Sequence, residues 1–176
     1  MSESSRHCRS CTACCRILPV IEIGKPAQQR CPEQCSHGCR VYPSRPMSCR
    51  LWSCAWLVDP DARDLSRPDR AGYVVDSLLD FVTVEPHDGR PPYKVPVAQV
   101  WLSAAEPDAW RDGALESYLR KKGLTALVRK NDVDGFIVAF DEHGKLRPIE
   151  SNLKRGPTHS RAEVAEALAE IKGTQA

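Results

Sequence analysis

From residue 72 onward the apolar positions fall into short, regular groups. Residues 72–76 and 79–85 are rich in Tyr, Val, Leu and Phe and stop at Pro86, which predicts two strands. Residues 87–92 carry turn chemistry, and 95–102 predict a further strand with Pro96 near its start. Pro107 stands in the favoured first turn of a helix that Gly123 closes. Trp110, Ala114, Leu115, Tyr118 and Leu119 give that helix its apolar stripe, and Arg120, Lys121 and Lys122 suit the negative end of its dipole. Three runs at 124–129, 136–140 and 146–148, parted by turns at 131–135 and 141–144, predict a β-meander. Asp132-Val133-Asp134-Gly135 opens like a calcium loop, but His143 stands where the closing Glu belongs, so it reads as a hairpin turn. Loop residues 150–159 lead to a capping box of Ser160 with Glu163. Val164, Ala167, Leu168 and Ile171 then mark one helical face ending at Gly173.

The first third has no such periodicity. Residues 1–7 read as a tail, 17–23 as an extended apolar segment, 24–26 as a turn and 30–38 as a polar loop. Pro43 and Pro46 stiffen the following loop by holding the residues before them extended. Leu51, Trp52, Trp56, Leu57 and Val58 supply an apolar wall, and 59–70 read as a connection. The expected fold is α+β: an irregular Cys-rich lobe, residues 1–58, packed on a small, mostly antiparallel sheet with two or more helices, residues 59–176. A chain of 176 residues is long enough for the two to form one compact unit.

What the irregular lobe holds instead of a pattern is sulfur. All nine cysteines lie between residues 8 and 54, among Arg, Ser, Thr, Gln, His and Gly rather than on apolar faces. An odd count, and a first 16 residues without an apolar run, argue against the disulfide framework of a secreted chain. Metal ligation is the remaining chemistry. Cys8-x2-Cys11-x2-Cys14-Cys15 stacks two Cys-x2-Cys knuckles, the separation at which one turn aims two thiolates at one ion. A ferredoxin run would continue with x3-Cys-Pro, and here those positions are Leu18 and Pro19. Adjacent side chains diverge, so Cys14 and Cys15 serve different ligand sets, or one of them stands behind the ligands. The later cysteines close the sites. His7 and His37 lie beside cysteines and read as exposed tail and loop residues.

The ordered set Cys8-x2-Cys11-x2-Cys14-Cys15, Gly24-Lys25-Pro26-Ala27, Cys31, Cys39-x2-Tyr42-x2-Arg45-Pro46-x2-Cys49-Arg50 and Cys54 resembles a bacterial cysteine-cluster family described as zinc- or iron-chelating. The resemblance covers about residues 8–58 and implies Cys8, Cys11, Cys14, Cys15, Cys31, Cys39, Cys49 and Cys54 as ligands of an iron–sulfur cluster or Zn²⁺. Cys35 departs from the family's pattern. A related cysteine signature in flagellin lysine methylases implies a second possibility, an iron–sulfur enzyme acting on a protein side chain by methyl transfer or redox chemistry. A third is a zinc-stapled module that binds a protein partner. Tyr42, Arg45 and Arg50 are the side chains that could meet a substrate, with structural roles beside the metal as the plainer reading.

Charge narrows the partners. Residues 1–58 carry eight Lys/Arg against three acids, +5, and the remainder carries −3. A basic lobe can bind phosphate, but tetrathiolate metal sites of about −2 each would absorb most of this excess, so nucleic acid is not expected. No apolar run reaches bilayer length, and a reducing cytoplasm is the expected compartment. From the sequence alone, Cys8→Ser or Cys49→Ser lowers the metal content of anaerobically prepared protein while Cys35→Ser leaves it nearly unchanged. Elemental analysis checks this, and full retention in the first two breaks the ligand assignment.

Overall fold

The computed structural model describes residues 6–8, 10–86, 88–149 and 161–174. In the first third no element exceeds five residues. Helix α1 (Ala13–Ile17) ends because Leu18, preceding Pro19, turns to extended geometry at ψ 148. The expected extended segment at 17–23 is therefore not one strand. Ile17 closes α1, Val20 bridges to Lys25, and Ile21–Ile23 form a 3-10 turn closed by Gly24 at φ 61. Ile21 is left 85% exposed.

The polar loop expected at 30–38 contains a small hairpin, β1 (Gln34–Cys35) against β2 (Gly38–Cys39). Arg45 is extended before Pro46 as expected, whereas Tyr42 before Pro43 lies in the 3-10 turn Tyr42–Ser44. Helices α2 (Met47–Leu51) and α3 (Ala55–Val58) carry the apolar wall. The connection that follows coils through a 3-10 turn, Pro60–Ala62, and α4 (Pro68–Ala71), with proline near the start of each. Gly72 ends α4 at φ 75, and a Cβ there would lie 2.7 Å from that of Glu106, so only glycine fits.

The two strands expected at 72–85 are one, β3 (Tyr73–Val84), with a bulge between Val75 and Leu79. It pairs antiparallel with β4 (Tyr93–Leu102). The helix expected from Pro107 starts later. A 3-10 turn (Ala109–Arg111) precedes it, and Asp112 stays extended and caps α5 (Gly113–Lys122) by accepting the Ala114 N–H at 3.1 Å. Helix α5 is a crossover, so β5 (Thr125–Arg129) runs parallel to β4, with Val97 opposite Thr125. β6 (Gly135–Phe140) and β7 (Leu146–Ile149) complete the expected meander, all antiparallel. Asn131 closes the β5–β6 turn by accepting the N–H groups of Val133 and Asp134. Helix α6 (Arg161–Thr174) follows, with Ala167 buried and contacts to β3 and β4. Its proposed cap Ser160, the loop 150–159 and residues 1–5 of the tail lie outside the described residues.

The result is an α+β fold with a five-stranded sheet in the order β3-β4-β5-β6-β7. Alternation along each strand separates two faces. Val100, Val128 and Val138 on one face pack with Leu115 and Leu119 of α5 and Trp110 as the main core. On the other, Val82, Val97, Leu127 and Ile137 form one cluster, and Val74 and Trp101 receive Ala13, Ile17, Leu18 and Ala27 of the Cys-rich lobe.

Polar clamps fix that docking. Gln28, at φ 63, donates its amide to the Leu102 carbonyl at 2.7 Å and the Lys130 carbonyl at 2.8 Å, and accepts the Ala104 N–H at 3.1 Å. The Ala27 N–H donates to Asp132 at 2.8 Å. Gln28→Ala removes three hydrogen bonds while keeping a strained backbone. We expect a loss of about 1–3 kcal/mol of stability, read from denaturant unfolding followed by tryptophan fluorescence; an unchanged midpoint would show that the clamp contributes nothing.

Candidate metal centre

All nine thiols are free, eight of them half-buried and Cys54 buried. Their positions follow from short local bonds. The Cys11 N–H donates to the Cys8 carbonyl at 2.7 Å, making the knuckle turn expected from the spacing. Cys14 and Cys15 follow on α1, about 100° apart on a helix. The Cys31 N–H donates to the Cys15 carbonyl at 2.9 Å, and the Gln34 N–H to the Cys31 carbonyl at 3.0 Å, so the β1–β2 hairpin hangs from α1. Cys54 pairs with Asp76 of β3 in an isolated bridge and packs with Cys11, Cys14, Trp52 and Trp56 against Val74 and Trp101.

The electrostatics link seven of these sulfurs. Cys8, Cys11, Cys49 and Cys54 are all raised first by burial, Cys54 to about 11, and each also feels the charge of other cysteines. The Cys14 thiol donates to the Cys15 sulfur, which lifts Cys14 well above its ordinary value and lowers Cys15 to about 7, helped by the charges of Lys25 and Arg45. Cys31 enters through its charge on Cys49 and Lys25. Among the described residues no three His, Cys, Asp or Glu side chains stand as a group that could hold a metal ion.

Cys35 and Cys39 sit on the hairpin. Gln34 and Cys39 are opposite one another in register and so share a face of the ribbon, whereas Cys35 opposite Gly38 takes the other. Gln34 is buried, and its amide donates to Thr12 at the head of α1 at 2.9 Å. Cys39 therefore lies on the α1 side and Cys35 faces away. His7 and His37 are exposed.

Two unsatisfied demands mark the lobe's interior. Lys25 is only 4% exposed, and its ammonium donates to the carbonyls of Leu18 and Pro26. Among the described residues no carboxylate makes an ion pair with it; Cys31, Cys15, Asp132 and Cys14 are the negative groups it feels, opposing the desolvation that lowers its pKa. The two carbonyls and the nearby Asp132 charge offset part of the cost of burying this cation. The second demand is Gln34 Oε1, buried without a partner among the described residues, at a cost of about 1–3 kcal/mol. An all-sulfur donor set beside a buried cation suits zinc or an iron–sulfur cluster.

The arginine excess has more than one use. Arg45 stacks on the Tyr42 ring at 3.7 Å and lends its charge to Cys8 and Cys15. Arg6 instead donates to the main-chain carbonyls of Trp56, Ala62 and Arg63, and Arg40 to Pro32. Of the apolar wall, Trp52, Trp56 and Leu57 back the sulfurs, while Leu51 and Val58 are exposed at 55% and 53%. Asp69 lies outside any sequence motif. Arg67 grips its carboxylate at 2.6 and 2.7 Å, and it meets the Cys11 thiol. An open hollow of about 460 Å³ lined by Trp110, Lys130, Phe136 and Pro148 holds none of the cysteines.

Comparison with protein-family models, curated proteins and solved structures finds no match to this chain. Among the described residues no helix is long and apolar enough to cross a membrane.

The spread of thiol acidity has a measurable consequence. In metal-free, reduced protein Cys15 gains its reactive thiolate as pH rises through about 7, whereas buried Cys54 stays protonated until about 11. Iodoacetamide at pH 7.5, followed by peptide mass spectrometry, is expected to label Cys15 well before Cys54; the reverse order would contradict this arrangement.

Proposed function

We propose that this chain is a metal-binding protein that holds an iron–sulfur cluster or zinc through its N-terminal cysteine thiolates, working in a reducing cytoplasm. The observation that carries the reading is the gathering of seven thiols around one small lobe whose buried cation, Lys25, has main-chain carbonyls but no carboxylate ion pair among the described residues. Thiolates held on a metal supply the negative charge that Lys25 needs. They also supply the cohesion that a lobe of five-residue helices and two-residue strands lacks. Cys8, Cys11, Cys14, Cys15, Cys31, Cys39, Cys49 and Cys54 are the ligands this reading uses. The metal would supply bonds to sulfur and, for iron, one-electron chemistry. The chain's own residues do the rest: Trp52, Trp56 and Trp101 exclude water, and Lys25 and Arg45 balance the sulfur charge.

A zinc-stapled interaction module is the second reading. It is favoured by the exposure of Ile21, Met47 and Leu51 at 85%, 57% and 55% on the same lobe. The Glu22 carboxylate ties the first of these to the other two by accepting the Ser48 N–H at 2.8 Å and its hydroxyl at 2.6 Å.

Protein prepared without oxygen separates the metals. Brown protein with stoichiometric iron and sulfide, bleaching in air, identifies the cluster; colourless protein with stoichiometric zinc identifies the staple. Fresh protein with a folded lobe and neither metal would end the proposal.

A further inference from the structure

Helix α2 lies at the lobe's surface with its side chains sorted by angle. Successive helical residues turn by about 100°, so Arg50, Met47, Leu51 and Ser48 follow one another around its outer half. All four are exposed, whereas Cys49, on the opposite side, is half-buried.

This order has chemical content. Ser48 is where the Glu22 carboxylate binds, accepting the backbone N–H on one oxygen at 2.8 Å and the hydroxyl on the other at 2.6 Å. The strip therefore runs from an acid, Glu22, across two apolar side chains, Leu51 and Met47, to a base, Arg50. Ile21 and Ile23 flank the acid, and both are exposed. Neither charge is used up. The carboxylate has more lone pairs than Ser48 fills. Arg50 makes no ion pair among the described residues, unlike Arg45, which is stacked on the Tyr42 ring.

Four apolar side chains left in water on one face, Ile21, Ile23, Met47 and Leu51, mark a contact surface. The charge order selects its occupant. An anionic lipid surface, or a wholly acidic peptide, would meet the Glu22 carboxylate beside the very residues it has to bury. A second strip turned by 180° instead brings each acid against a base, with Met47 and Leu51 between the two pairs.

We propose that Ile21–Ile23 and the outer side of α2 form a self-complementary interface, through which two copies of this chain pair about a two-fold axis. This rests on the second reading above and names its partner, whichever metal the lobe holds. Arg50 of each copy meets the Glu22 carboxylate of the other, and the apolar centre loses water. The face is small, so the pairing is weak and depends on concentration.

The test uses the full chain as purified under reducing conditions. Sedimentation equilibrium is expected to show monomer at about 1 µM and mainly dimer at about 200 µM, the range open to a small interface. Leu51→Asp should weaken association by at least about tenfold. Glu22→Arg and Arg50→Glu should each be monomeric alone, and their equimolar mixture should dimerise, because the exchanged charges again match. Circular dichroism checks the fold of each variant. If Glu22→Arg, which loses the Ser48 bonds, disturbs it, hydrogen exchange of the wild type decides. Slower exchange of residues 21–23 and 47–51 at the higher concentration supports the pairing, and protection confined to other segments overturns it. A wild type that stays monomeric, or Leu51→Asp protein that dimerises as well as the wild type, also overturns it. A monomer that sediments with phosphatidylserine vesicles removes the pairing but keeps an interaction role for this face. Metal content of the same samples is a separate readout: metal-loaded monomers remove the pairing alone, and metal-free dimers remove the metal-binding reading alone.

Discussion

A peptide segment with helices of five residues and strands of two cannot bury a core of its own. That constraint governs the first third of this protein. Its apolar residues are few, and the best of them, Ala13, Ile17, Leu18 and Ala27, are spent against Val74 and Trp101 of the sheet. The lobe also holds the cysteine thiols, one buried ammonium and, among the described residues, one buried amide oxygen without a partner. The sheet provides the foundation, and thiols backed by Trp52, Trp56 and Leu57 pack against it.

The sheet earns this role by having two differently used faces. One is closed by α5 and Trp110 over Val100, Val128 and Val138, which gives a conventional α+β core. The other takes the Cys-rich lobe at Val74 and Trp101, and α6 meets β3 and β4, with Glu170 paired to Lys94 at 2.6 Å. The clamps at that second junction are polar and directional, through Gln28 and Asp132, so the lobe is held in one orientation rather than merely adhering. Cys54 belongs to both parts, bridging to Asp76 of β3 while packing among the thiols.

Electrostatics inside the lobe pull in two directions. Burial works against the thiolates of Cys8, Cys11, Cys49 and Cys54, while Arg45 favours those of Cys8 and Cys15 and Lys25 that of Cys15. In the proposed reading a metal bound through sulfur would reconcile the two, because it would neutralise thiolates where water cannot reach them. Arginine is used sparingly for this purpose. Arg45 serves the sulfurs, while Arg6 and Arg40 hold main-chain carbonyls.

The sequence by itself determined the fold class, the strands at 95–102, 124–129, 136–140 and 146–148, and the amphipathic α6, because apolar periodicity is a local property that a long element must display. It also confined all nine cysteines to the first third, and the resemblance set Cys35 apart as the one outside the family's pattern. It misjudged elements whose shape is set by a single contact. Asp112 delays α5, Leu18 before Pro19 breaks the apolar run into a helix end and a turn, and a bulge lets β3 run through two segments. Only the tertiary structure decided that β4 and β5 are parallel, that Gln28 clamps the lobe, that Lys25 is buried without a carboxylate ion pair among the described residues, and that Asp69 reaches Cys11. These depend on which distant segments meet, and no spacing along the chain encodes a meeting between Gln28 and Leu102 or between Asp69 and Cys11.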